Sequence, residues 1–187
     1  MKVTIIGFPT DKDWIEVKRR ALVTVGKSPV TAPDDIWRAK MLECRHSPIR
    51  YLRFSFLLED IPSYVSVHLT RHKHAEPYVK SQRNDRQDDY DRAAARQDAP
   101  VSMIWDLNGE ELLTVFNKRL CGQADIETQK LIMMMREKVI ERDLIYLPFA
   151  EPMCKWLGRC PESFKTKCES EFFKTISQKS GIIKPTE

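Results

Sequence analysis

His68-Leu69-Thr70-Arg71-His72-Lys73-His74-Ala75-Glu76-Pro77-Tyr78-Val79-Lys80-Ser81-Gln82-Arg83-Asn84 is the stretch around which the rest of the chain is organised. It gathers three of the four histidines together with two arginines, two lysines and a serine. A guanidinium grips a phosphate or the carbonyls of a polar ring bidentately, and an ammonium adds a point charge. A serine hydroxyl nearby completes a phosphate site or orients a ring. The residues before it, Asp60, Ile61, Pro62, Tyr64, Val65 and Leu69, have helical spacing, which predicts a helix carrying His68, Arg71 and His72 near its C-terminus. Pro77 bars that helix from continuing. Cations at a helix C-terminus also suit its dipole, so a solvated basic helix end and an anion site both remain open readings at this point.

The surrounding composition narrows the function classes. A chain of 187 residues is most simply one domain, 1–187. It can bury roughly 70% of its unfolded surface without a covalent staple. Apolar residues make up 42% and charged residues 31%, as in ordinary globular proteins. A net charge of +4 with no long Lys/Arg run argues for an anionic small ligand and against a nucleic-acid footprint. The apolar run Val3 to Ile6 is too brief for a secretory signal, and no window approaches the ~20 apolar residues of a membrane span. Five cysteines, an odd number, agree with a reducing compartment, so the expected location is cytoplasmic.

Several elements can be placed on either side of the basic stretch. Lys2 to Phe8 reads as an opening strand ended by Pro9. Asp11 is expected to cap a helix through Trp14, Val17 and Ala21, and Pro33-Asp34-Asp35 to start another. Phe54 and Phe56 alternate with polar neighbours as in a half-buried strand. The charged run from Asn84 to Pro100 reads as a solvated loop or short helix. Val101 to Trp105 reads as a strand, followed by a helix with Asn108 as cap and Glu111 three residues on, the spacing of a capping box. Ile126, Leu131, Ile132, Met135 and Val139 mark a further helix, and Met133-Met134-Met135 reads as core or subunit interface. The cysteine-bearing tail, about 150–187, holds Cys154, Cys160 and Cys168. Their spacings lack the paired ligands of a structural zinc site, so no metal is expected.

Arg71-His72-Lys73, then seven residues, then Ser81-Gln82-Arg83, resembles the Arg-His-Arg-x7-Ser-x-Arg signature of the flavin-dependent thymidylate synthases, with lysine as third basic residue. Three further segments follow in the same order. Ser47-Pro48 with Phe54-Ser55-Phe56 is similar to a His-x-Ser-Pro-x-Glu-His segment and the strand after it. Here Arg45, Arg50 and Tyr51 stand in place of histidine, glutamate and histidine. Asn108-Gly109-Glu110-Glu111-Leu112, Arg119 and Ala124 to Glu127 are similar to Asn-x-Arg-Ser-Leu, a following arginine and Ala-Gln-x-Glu. Glu110 replaces an arginine and Glu111 a serine. Arg159-Cys160-Pro161 echoes the family tail.

The resemblance implies an α/β (α+β) subunit of the thymidylate synthase-complementing type, with a small mixed sheet, long flanking helices and a homotetramer whose sites are shared between subunits. It implies FAD as cofactor, with NADPH and methylenetetrahydrofolate as co-substrates, and a small-molecule nucleotide, deoxyuridylate, as substrate. In that frame Arg71, Ser81, Arg83 and Arg119 hold the nucleotide, with His68 in place of a glutamine. Ser47, Arg50, Arg71, His72, Lys73 and Asn108 meet the flavin. Arg119 and Ser81 are the catalytic candidates, Arg119 by stabilising charge on the uracil carbonyl. The Asn84–Pro100 region lacks a long family segment with an Ala-Arg-x-x-Leu-Pro element, so no residue here corresponds to its arginine. These departures keep two alternatives in view: a non-catalytic pyrimidine-nucleotide-binding protein on the same scaffold, and an enzyme acting on another pyrimidine nucleotide.

Overall fold

The computed structural model describes residues 1–28, 31–86, 91 and 93–161. Cys168 and the rest of the tail beyond residue 161 lie outside the described residues. Strand β1 (Lys2–Gly7) is followed by helices α1 (Asp11–Val23) and α2 (Asp35–Glu43), then a 3-10 turn at Ser47–Tyr51. Strand β2 (Arg53–Pro62), helix α3 (Ser63–Leu69) and strand β3 (Ala75–Val79) come next. Strand β4 (Pro100–Asn108) leads into α4 (Gly109–Arg119), α5 (Ile126–Arg142) and the short α6 (Met153–Leu157).

The four strands form one sheet in the order β1-β2-β4-β3. This is the expected α+β class, but every pairing is antiparallel rather than mixed. Strict alternation explains how the sheet is oriented. Phe54, Phe56 and Leu58 on β2, with Val101, Met103, Trp105 and Leu107 on β4, are buried, while their sequence neighbours are not. Leu112, Val115 and Phe116 of α4 and Leu131, Ile132, Met135 and Val139 of α5 close the core over that face.

Local chemistry accounts for the helix ends and for three departures from expectation. Asp34 caps α2 by accepting from the Trp37 N–H at 2.8 Å, and Asp125 caps α5 by accepting from the Thr128 N–H at 2.9 Å. Thr10, not Asp11, is the cap residue of α1, where the Asp13 carboxylate accepts from both the Thr10 N–H and its hydroxyl at 2.7 Å. Asp60, Ile61 and Pro62 belong to β2, not to a helix. A register shift between Leu58 and Ile61, with Asp60 at φ 54°, carries the strand past a bulge before α3 begins. The segment after His74 is a strand, β3, on the edge of the sheet, where a proline is tolerated.

Candidate functional site

Two elements converge on one cleft. The turn after α3 brings Arg71, His72, Lys73 and His74, and one side of α4 brings Glu110, Glu111, Thr114, Lys118 and Arg119 around a space of about 370 Å³. Asn108 makes this possible by accepting from the Glu111 N–H at 2.9 Å, which fixes the start of α4 at the end of β4. Gly109 is required one residue later, since a Cβ there would lie 2.5 Å from the Ile49 carbonyl oxygen. The α4 N-terminus is thereby seated against the Ser47–Tyr51 turn.

At the back of the cleft is a buried polar chain. Glu111 Oε1 lies 2.7 Å from His72 Nδ1, and both side chains are nearly excluded from solvent, at 5% and 7% exposure. The opposite ring nitrogen, Nε2, accepts from Arg119 Nε–H at 3.1 Å. The Arg119 Nη2 donates to the His68 carbonyl oxygen at 3.0 Å. Trp105 supports the imidazole edge-on, with ring centroids 5.7 Å apart. Burial pushes the Glu111 carboxyl up, but the hydrogen bond from His72, with His74 and its main chain, outweighs it and holds the group below its ordinary range. Burial, and secondarily the Arg71 charge, moves the Arg119 guanidinium below its usual value.

Arg71 and Lys73 are exposed at the mouth, and neither has a hydrogen-bond or ion-pair partner among the described residues. They are the groups available to an incoming anion. Glu110 is not available in the same sense, because it forms an ion pair with Arg50. The two positions at which the sequence reverses a charge relative to the resemblance thus meet each other. Arg45, in place of the first histidine, hydrogen-bonds Asn117 and lies 4.5 Å over the Trp156 ring.

The remaining candidates are placed elsewhere. His68 is half-buried with Nδ1 2.9 Å from the Thr128 hydroxyl. It reaches the cleft through its carbonyl, not its ring. Ser81 and Arg83 lie beyond β3 and do not line the cleft. Arg83 grips Asp85 at 2.8 and 2.6 Å, and its N–H donates to the Ser81 hydroxyl at 3.3 Å. Ser47 is exposed at the start of its turn, and Asn108 spends its side-chain oxygen on the α4 cap. Cys121, Cys154 and Cys160 line a neighbouring pocket that shares Lys118 and Arg119 with the cleft. No metal-ligating cluster of three or more His, Cys, Asp or Glu occurs among the described residues. No helix is long and apolar enough to cross a membrane, again among the described residues.

Sequence reasoning missed Glu111 as a site residue. Its spacing from Asn108 already had a local explanation, the capping box, yet only the Asn108 half of that box forms. The one available signal was a carboxylate beside the apolar positions Leu112 and Val115 on a helix whose face is buried.

No family model matches the chain, and no curated protein matches it. Solved structures do. One is thymidylate synthase X (ThyX) from Helicobacter pylori with FAD and dUMP, matched with a TM-score of 0.61 and 14% identity over 73% of this chain and 92% of that one. Another, the flavin-dependent thymidylate synthase ThyX of the same organism complexed with FAD and dUMP, matches with a TM-score of 0.62 and 14% identity over 73% and 93%. At this identity the likeness concerns the fold: the chain has a ThyX-like fold.

Proposed function

We propose that the protein binds a pyrimidine nucleotide of the deoxyuridylate type in the cleft between the Arg71–His74 turn and α4, as a thymidylate-synthase-like protein. The observation that carries this reading is the pair of exposed, unpartnered cations Arg71 and Lys73 facing a half-buried, pre-oriented Arg119. Arg71 and Lys73 would take the phosphate. The Arg119 guanidinium, held on two of its nitrogens by His72 and His68, would offer Nη1 to a base carbonyl and stabilise charge developing there. Ser81 and Arg83 lie outside this cleft. In the homotetramer implied by the resemblance they would serve a neighbouring subunit's nucleotide. The partly exposed outer sheet face, with Leu57, Ile104 and Tyr78, supports such an assembly.

A second reading, reductive methylation of deoxyuridylate with FAD and methylenetetrahydrofolate, is favoured by the two solved neighbours, which hold FAD and dUMP. The residues assigned to flavin do not fit it within one subunit. Both ring nitrogens of His72 are committed, Arg50 is paired with Glu110, and Asn108 caps a helix.

Calorimetric titration with deoxyuridylate tests the first reading. Arg71→Ala and Lys73→Ala should each weaken binding about tenfold or more, since a hydrogen bond to a charged group contributes about 1.5–3 kcal/mol. Wild-type protein that takes up no deoxyuridylate would overturn it. An FAD titration followed by absorbance tests the second: stoichiometric uptake supports flavin chemistry, and a colourless protein leaves nucleotide binding alone.

A further inference from the structure

The chain Glu111–His72–Arg119 contains a buried carboxylate at a position where the resemblance has serine. Hydrogen positions along it follow from the partners. Arg119 Nε can only donate, so His72 Nε2, 3.1 Å away, must present its lone pair. The single ring proton then sits on Nδ1, pointing at Glu111 Oε1 at 2.7 Å. An unconstrained imidazole prefers the other tautomer, with the proton on Nε2. That proton would face the Arg119 N–H donor to donor, and the contact would be lost.

We propose that Glu111 is a positioning residue: by accepting the His72 Nδ1 proton it selects the tautomer that receives Arg119, and so fixes the guanidinium that faces the nucleotide. Three features carry the inference. Both groups of the pair are more than nine-tenths buried, so water does not substitute for either. The Arg119 Nη2 is anchored on the His68 carbonyl, so with Nε held as well the guanidinium plane is fixed at two points. Trp105 holds the ring edge-on, which leaves the tautomer as the variable that Glu111 decides.

The consequence for ligand binding rests on the nucleotide reading of the cleft, whereas the tautomer does not. The experiment therefore uses two readouts on the full chain. With ring-15N histidine, long-range 1H–15N spectra at pH 7.5 report the His72 tautomer, assigned through His72→Gln. Calorimetry with deoxyuridylate reports the presentation of Arg119. Wild-type and Glu111→Gln, whose amide oxygen still accepts, should show the Nδ1–H form and bind within about twofold of each other, a small fraction of one hydrogen bond. Glu111→Ala should shift the ring toward Nε2–H and weaken binding about tenfold or more. An Nε2–H or doubly protonated ring in wild-type protein, an unchanged tautomer in Glu111→Ala, or equal loss of affinity in both variants would overturn the assignment. If Glu111→Ala does not fold, the wild-type and Glu111→Gln spectra still decide. If deoxyuridylate does not bind the wild-type chain, the nucleotide reading fails and the spectra still test Glu111.

Discussion

Replacing His72 by phenylalanine isolates the energetics of the buried pair. The imidazole and the Glu111 carboxylate are 7% and 5% exposed, so the variant leaves an ionised group in the interior with little beyond the His74 main chain to compensate it. Removing one partner of such a pair costs about 3–5 kcal/mol. Phenylalanine fills the space against Trp105 and recovers some apolar burial, so the lower end, about 3 kcal/mol, is expected. For a chain of this size each kcal/mol lowers the melting temperature by about 2–4 °C, giving a drop of about 6–12 °C. Adding Glu111→Leu removes the stranded charge, and the double variant should regain most of the loss, ending within about 1 kcal/mol of wild type. Circular dichroism melts and urea midpoints at pH 7.5 measure the cycle. A single variant that loses under about 1 kcal/mol, or a double variant no more stable than the single, would refute the claim that this pair is desolvated and mutually dependent.

Other perturbations probe the frame around it. Gly109→Ala places a Cβ 2.5 Å from the Ile49 carbonyl oxygen. It should destabilise by about 1–3 kcal/mol despite alanine's better helix propensity, and a raised melting temperature would contradict the close approach. Because Glu111 is held below its unfolded value, its contribution is present above the ordinary carboxylate range and fades as pH falls through it. The stability gap between wild type and Glu111→Gln should thus shrink on acidification, and urea titrations finding a gap that widens would contradict the sign. Exchanging both charges, Arg50→Glu with Glu110→Arg, keeps opposite charges at the two positions and installs the residue types that the resemblance places there. FAD absorbance titration should show uptake stronger than wild type, and weaker uptake would remove these two positions from the flavin argument.

Much of the fold was legible because its signals are local and periodic. The alternation of Phe54 and Phe56, the Asn108 cap and the apolar row of α5 all correspond to observed elements. What escaped reading was decided by contacts distant in sequence. Ile61 has helical spacing with Val65, but pairing with Val101 on β4 draws it into a strand across a bulge. β3 carries Pro77, an argument against a strand until the segment is known to lie at a sheet edge. At the site, Arg71, His72, Lys73 and Arg119, from two separate motifs, line one cleft. The partners of Arg50 and His72 lie 60 and 39 residues away, and no spacing rule reaches that far.

The edge strand that follows the Arg71–His74 turn also limits how copies of this chain can pair through the sheet. The Lys80 N–H donates to the Ser102 carbonyl at 2.9 Å, and donor direction alternates along a strand, so the nitrogen of Pro77 points away from β4 toward the open edge. That nitrogen bears no hydrogen, which leaves a gap in the middle of the five-residue rim. A second chain approaching there meets a broken ladder. Growth of a continuous intermolecular sheet through β3 is therefore disfavoured, and contacts between copies on this side of the sheet would rest on side chains, where register is set by shape and not by backbone pairing.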